Sequence, residues 1–339
     1  MAASPELQSG TASKKVFVAY SYRLYPGEDA SNSVWTIAEH YGPGSYDSLG
    51  VSSDLGAGSQ RGSMASWAQF EPSVGTYDWN VIRDRRTYVR DASQLGLDFV
   101  FIIPLGDAPP PVGVTQANFL NEWWWFCHRM GIVYGAAIYW WQLANELNSP
   151  HGPPTGITID DPTEELVFNY CFDALNQAEG SMINGNQVFD HTWFYRSIVN
   201  AGTELPGVWC WTCDMDRWLR NAGDSIDVAA TDPYGDDIWL DMLSLEALAE
   251  QYDKLSSIME TGAFSQSPCS EQCQSTWVQI NVGFWILEMA RDWNLAQHNN
   301  RYVLLGYYRQ RDTPGPVTDT YGLLRLDETA KPAYSTFRT

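Results

Sequence analysis

Ala136-Ala-Ile-Tyr-Trp-Trp-Gln-Leu143, running on into Ala144-Asn145-Glu146, is the segment on which the fold turns. Its first eight residues carry no charge and a single side-chain amide, and aromatic residues crowd its centre. Apolar and polar positions do not alternate, so neither face of this segment is built for water. A strand buried on both faces belongs to a parallel sheet covered by helices. The stretch before it, Ala117–Met130, has the length and pattern of an aromatic-rich helix.

Working outward, the same unit recurs. Asp98–Ile103 (DFVFII) reads as a strand, and Val81–Leu95 before it as a helix stopped by Leu95-Gly96. Upstream, Lys15–Tyr20 (KVFVAY) and the weaker Gln60–Trp67 have strand character. Downstream, Gly207–Thr212, Ser225–Ala230, Leu255–Met259 and Arg301–Tyr307 do too, with helices expected over Ile238–Tyr252 and Gln272–Asn294. Eight short apolar runs separated by helical spacers predict an α/β fold, a (β/α)8 TIM barrel with about 42 residues per unit and extended βα loops. A doubly wound open sheet is the rival, but no G-x-G-x-x-G or P-loop opens any unit. Met1–Ser13 is rich in Ala, Ser and Gly. Residues 1–14 therefore read as a flexible leader and 15–339 as one barrel domain. The long connections Leu24–Ser59 and Ser149–Pro162 follow the first and fourth strands, which places them at the C-terminal mouth as cleft walls.

Charge and cysteine use narrow the class. Lys plus Arg number 20 against 41 Asp plus Glu, a net charge of −21. Phosphate recognition needs positive surface, so nucleic acid is excluded as a partner. No apolar run approaches the roughly 20 residues that cross a bilayer, and no membrane partner is expected. Cys210-x-x-Cys213 and Cys269-x-x-x-Cys273 have spacings seen in zinc and redox sites, but no His lies near either. Disulfides are the favoured reading, with Cys269–Cys273 the best single pair. An even cysteine count in a Lys-poor acidic chain favours an oxidising compartment, hence a secreted or extracytoplasmic protein. The five His form no H-E-x-x-H or H-x-x-x-H spacing, and no metal or cofactor is expected.

In a (β/α)8 barrel, acids at strand ends are the ones to inspect. Glu146 follows the fourth predicted strand, and Glu260, in Ile258-Met259-Glu260-Thr261-Gly262, follows the seventh. Side chains at those two tips converge across the mouth. Two carboxyl groups on one glycosidic bond are the minimum equipment for its hydrolysis, one protonated to donate and one ionised to attack.

Asn145-Glu146 after an aromatic strand, with Glu260-Thr-Gly after a later one, resembles the clan A glycoside hydrolases. Arg61-Gly-Ser-Met-Ala-Ser-Trp67-Ala-Gln-Phe-Glu71-Pro72, continuing to Gly75-Thr-Tyr77-Asp78-Trp79, is similar to the strand-two run of family 42-like and family 5-like barrels. Tyr321-Gly-Leu-Leu and Lys331-Pro332-Ala-Tyr334 resemble their closing segment. The resemblance implies Glu146 as acid/base and Glu260 as nucleophile in a retaining double displacement on a carbohydrate substrate. It implies that Asn145 bonds the sugar 2-hydroxyl, that Arg61 sits beneath the nucleophile, and that Tyr234 donates to it. Trp67, Trp141 and Tyr308 are expected to bind substrate. Trp123, Trp124, Trp125, Trp140 and Trp211 add to an aromatic load of 16 Trp, 18 Tyr and 13 Phe that suits stacking on a polymer.

Two departures stand out. The strand-eight Trp of many relatives is replaced by the run Gly306-Tyr307-Tyr308-Arg309, and the His often two residues before the strand-six Tyr is Asp232. Arg309 and Arg311 near the mouth serve either an acidic sugar or ion pairs. Structural readings stay open beside the catalytic ones. Arg61 can pair with a surface acid, Tyr234 can be a packed loop aromatic, Glu260 can neighbour a helix cap, and Glu288 is a rival second acid. A transglycosylase of the same fold and a non-catalytic carbohydrate-binding barrel are the alternatives.

Overall fold

The structure, a computed structural model, describes residues 35–38, 48–63, 65–106, 108–149, 152–178, 182–183, 186–187, 196–203, 210–234, 238–263, 265, 269–281, 302–312 and 320–338. Eight strands close a parallel barrel: β1 (Trp35–Ala38), β2 (Ser59–Gly62), β3 (Asp98–Ile102), β4 (Trp140–Asn145), β5 (Arg196–Gly202), β6 (Val228–Asp232), β7 (Leu255–Ile258) and β8 (Tyr302–Tyr308). Each strand pairs with its sequence neighbours, and β8 returns to pair with β1 through Trp35–Leu305 to Ala38–Tyr308. This is the predicted (β/α)8 barrel.

Around it lie α1 (Ser48–Asp54), the short α2 (Trp67–Phe70), α3 (Trp79–Gln94), α4 (Phe119–Tyr134), α5 (Asp161–Ala178), α6 (Trp211–Ala222), α7 (Ile238–Gln251), helical residues 271–281, which we label α8, and α9 (Pro332–Arg338). The starts are set by side chains. Asp78 accepts from the amides of Asn80 and Val81 and begins α3 two residues before the expected Val81. Ser66 and Gln69 form a reciprocal capping box on α2. Gly96, at φ 77°, takes the left-handed turn after α3 that leads into β3.

The apolar residues form two layers. One fills the barrel itself, with Val100, Trp140, Ile198, Val228, Ala230, Met259 and Leu304 drawn from β3 to β8 and their ends. The other lies between barrel and helices and contains Trp67, Phe70, Phe101, Trp123, Phe126, Trp141 and Trp218.

Two predicted strands need correction. The first barrel position belongs to Trp35–Ala38, inside what was read as the long loop Leu24–Ser59, and Lys15–Tyr20 lies outside the described residues. The fifth belongs to Arg196–Gly202, whereas Trp211 and Thr212 open α6. Cys210 caps that helix through its sulfur, which accepts from the amide of Cys213. The leader 1–14 and Glu288 also fall outside the described residues. Among the described residues no helix is long and apolar enough to cross a membrane.

Cysteines pair as Cys127–Cys171, Cys210–Cys213 and, as expected, Cys269–Cys273. The first is fully buried and ties α4 to α5 across a separation of 44 residues. Loop-closure entropy assigns such a crosslink about 4 kcal/mol, and a crosslink three residues long about 2 kcal/mol or less. A C127S/C171S variant should therefore lose roughly twice the unfolding free energy lost by C210S/C213S. Urea melts of both variants check this, and equal losses would refute it.

Candidate active site

Arg61 is 1% exposed, yet it carries a fixed charge and therefore needs buried acceptors. It projects from β2, and its three nitrogens reach two other parts of the mouth. Nε donates to Gln142 Oε1 at 2.8 Å, Nη2 to Asn145 Oδ1 at 2.7 Å, and Nη1 forms a buried ion pair with Glu260 Oε1.

That arrangement depends on an irregularity in β4. In a regular strand, residues three apart point to opposite faces. Gln142 and Asn145 nevertheless both meet Arg61, because the register with β5 shifts between them. The extra residue re-aims Asn145 inward, as β-bulges do. Gln142 Nε2 also donates to Asn145 Oδ1, at 2.7 Å, and Asn200 Nδ2 of β5 donates to it at 3.2 Å. Three donors saturate that oxygen, which fixes the amide so that its NH2 is the group left to donate outward.

Glu146 follows immediately, with φ 46°. Its amide donates to Asn200 O at 3.1 Å and its carbonyl accepts from Ser149 N at 2.8 Å, so the chain turns sharply at the acid. The next loop passes so close that a Cβ on Gly152 would sit 2.5 Å from Glu146 O. Only glycine fits there without displacing the Glu146 backbone.

Glu260, beyond the end of β7 and 5% exposed, is held at both oxygens. Arg61 takes Oε1, and the Tyr234 hydroxyl donates to Oε2 at 3.0 Å. Burial and the neighbouring Glu260 charge push the Tyr234 phenol well above its ordinary value, so it remains a donor across the working pH range. Burial works against the Arg61 charge, but Glu260, Asp232 and Glu146 outweigh it and raise the guanidinium above its usual value. Arg61 thus feels all three acids at once.

Asp232 ends β6, is 1% exposed, and accepts from Asn200 Nδ2 at 2.5 Å. Burial, joined by Glu260 and Glu146, moves its carboxyl well above the ordinary range. Tyr308, at the end of β8, closes the mouth beside Tyr234 and Tyr321, with ring centroids 6.3 and 5.6 Å away. The Arg309 guanidinium lies 4.5 Å over the Tyr308 ring and donates to its hydroxyl, while Arg311 pairs with Glu328.

Arg61, Asn145, Glu146, Tyr234, Glu260 and Tyr308 therefore come together as expected from the sequence. Trp67 and Trp141 do not. Trp67 is 3% exposed, packs on Phe119, Trp123 and Phe126, and donates its indole N–H to Glu71. Trp141 is fully buried against Phe101 and donates to Ile138 O. On β4 the residue beside an inward-facing Gln142 must face the helices, so Trp141 belongs to the outer layer. Trp123, Trp140 and Trp211 are buried as well, and Trp125 is exposed on α4. Gln142 and Asn200 were missed. The signal was an uncharged amide inside an apolar strand, which only a buried polar network explains. Among the described residues no group of three or more His, Cys, Asp or Glu is arranged to hold a metal ion.

No family model and no curated protein matches the chain in sequence. Solved structures do match in shape. An endo-1,4-beta-xylanase from Penicillium canescens aligns with a TM-score of 0.65 at 13% identity, over 90% of this chain and 92% of that one. A beta-glycosidase aligns at 0.64 and 13%, over 86% and 84%. A family 1 beta-glucosidase from Thermotoga maritima aligns at 0.56 and 12%, over 86% and 83%. These similarities establish the class of fold, a closed parallel (β/α)8 barrel. More particularly, it is the form of that barrel which the xylanase, the beta-glycosidase and the beta-glucosidase share.

Replacing Arg61 with Met leaves buried carboxyl groups without their cation, a loss worth about 3–5 kcal/mol when one partner of a buried pair is removed. The deficit should shrink as pH falls, because protonated acids need no counter-charge. Urea melts of R61M and wild type at pH 5 and pH 8 measure it. A deficit that grows toward acid would contradict the charge-balancing role.

Proposed function

We propose that the protein is a retaining glycoside hydrolase that cleaves β-glycosidic bonds of an oligo- or polysaccharide, with Glu260 as nucleophile and Glu146 as acid/base. The observation that carries the reading is the opposite treatment of the two acids. Glu260 is buried and gripped at both oxygens, while Glu146 is only half-buried, on the turn that follows β4. Two carboxyl groups in unlike environments are what separate nucleophile from acid.

In the first step Glu146 gives its proton to the leaving oxygen as the Glu260 carboxylate attacks the anomeric carbon, forming a glycosyl ester. In the second, ionised Glu146 takes a proton from water, which attacks the same carbon and releases Glu260. Arg61 stabilises the Glu260 carboxylate before attack and after release. Tyr234 orients its second oxygen. The Asn145 amide, fixed by three donors to its oxygen, offers N–H to the sugar 2-hydroxyl, a contact that strengthens in the transition state. Tyr308 and Tyr321 supply the aromatic wall that the buried tryptophans do not. Substituting a sugar hydroxyl for water in the second step gives the transglycosylase variant. The three disulfides support an extracytoplasmic setting.

On a panel of aryl β-glycosides and natural β-glucans, mannans, xylans and galactans, wild type should turn over at least one member. E146Q and E260Q should each lose about a thousandfold or more in kcat. Azide should restore turnover to E146A on substrates with good leaving groups, and the first product should retain β configuration by NMR. An inverted product, or full activity in either Gln variant, would sink the assignment. Sugar binding without turnover would instead indicate the non-catalytic barrel.

A further inference from the structure

Three carboxyl groups of the mouth, on Glu146, Asp232 and Glu260, surround the guanidinium of Arg61. The double displacement above uses two of them, and Asp232 is left over. None of the three Arg61 nitrogens bonds to it, since they go to Gln142, Asn145 and Glu260. Asp232 Oδ2 has one hydrogen bond, from Asn200 Nδ2. Its Oδ1 is buried without a partner, and so is Asn200 Oδ1.

Two side chains already joined by one hydrogen bond each keep an orphaned acceptor. A proton on Asp232 removes one of them, turning the buried Oδ1 from an unmet acceptor into an O–H donor. A buried carboxylate with one neutral donor and no bonded cation is far more costly than the neutral acid. The groups that face Asp232 agree. Glu260 beyond β7 and Glu146 beyond β4 both disfavour its charge, Arg61 of β2 partly offsets them, and Asn200 of β5 donates one bond. Asn200 in turn donates to Asn145 Oδ1, so the state of Asp232 reaches the amide that faces the sugar.

We infer that Asp232 is a positioning residue that works as the neutral carboxylic acid, holding Asn200, and through it Asn145, in place while leaving the Arg61 charge to Glu260. The inference rests on the glycoside hydrolase reading for its catalytic consequence, but the protonation state itself does not. An ionised Asp232 in the same position would compete with Glu260 for Arg61. A neutral one supplies the geometry without that competition.

Infrared spectra of protein carrying 13C-labelled aspartate test this on the wild type alone. A carboxylic-acid C=O band that shifts with the label should be present at pH 6–7 and absent in D232N. Melting temperatures give a second readout. The native state keeps a proton that the unfolded chain releases above about pH 4, so wild type should lose stability relative to D232N as pH rises from there. On an active glycoside, D232N, which keeps a neutral amide donor, should stay within about tenfold of wild-type kcat/KM, while D232L should fall about a hundredfold as Asn200 is released and Asn145 loses one of its three supports. No labelled acid band at any pH of the folded protein overturns the proposal, as does a stability advantage of wild type over D232N that grows with pH. If wild type turns over no glycoside, the hydrolase reading fails by itself, and the infrared and melting results still decide the state of Asp232.

Discussion

One buried cation organises the mouth of this barrel. Arg61 comes from β2, and its guanidinium fork reaches β4 at Gln142 and Asn145 and the tip of β7 at Glu260. A guanidinium keeps its charge in any protein environment and presents donors in a rigid plane. Its partners therefore have to come to it, and the backbone around them is shaped accordingly. The interaction is poor as a source of net stability, since desolvating the charges offsets most of the attraction. What it provides is geometry. Three strand ends, no two of them neighbours in the barrel, are held in one register by one side chain.

The irregular features of the mouth follow from that demand. The register shift in β4 turns Asn145 inward beside Gln142, and the turn at Glu146 puts the acid past the end of the strand. Gly152 and Gly262 allow the close approaches that result. A Cβ on Gly262 would sit 2.5 Å from Tyr308 O, so this glycine lets the chain after Glu260 lie against the tip of β8. Further out, buried Lys331 donates to Asp312 at 2.6 Å and to Ser265 at 2.7 Å, fastening the segments after β7 and β8 to each other. The Lys-Pro of the closing segment is thus a clamp on the cleft wall, and its Pro332 opens α9 where a missing amide is harmless.

Much of this was legible in the sequence, for reasons specific to each element. β3, β4, β6 and β8 are largely apolar runs because both their faces are covered, and a run of that kind is readable without its neighbours. β1 and β2 are four residues each, and β2 is Ser-Gln-Arg-Gly, whose buried polar side chains leave no apolar pattern. They are strands because the barrel needs them, which is a tertiary reason. β5 was displaced by the aromatic, cysteine-rich run at 207–212, where a helix cap and a disulfide rather than a strand account for the residues. Among site residues, the charged and motif-borne ones were found. Gln142 and Asn200 were not, because an amide has meaning only through its partners. The aromatic surplus misled in its turn. Composition counts rings but not faces, and most of the tryptophans that were expected to meet sugar instead fill the space between barrel and helices.

Placing three acids around one cation compels them to differ. Opposite charge within a few ångströms favours ionisation and like charge opposes it, so a cluster with one guanidinium holds one carboxylate cheaply and not three. Geometry decides which. Glu260 touches Arg61 and Tyr234 and is the acid whose charge is matched. Asp232 is sealed behind Asn200 with no cation in contact. Glu146, half-buried on its turn, is the acid that solvent can still reach. The chain as a whole carries a formal net charge of −21, and charges that meet water are screened by it. Inside the mouth that screening is gone, and the division of roles among the acids follows from where β4, β6 and β7 end relative to Arg61.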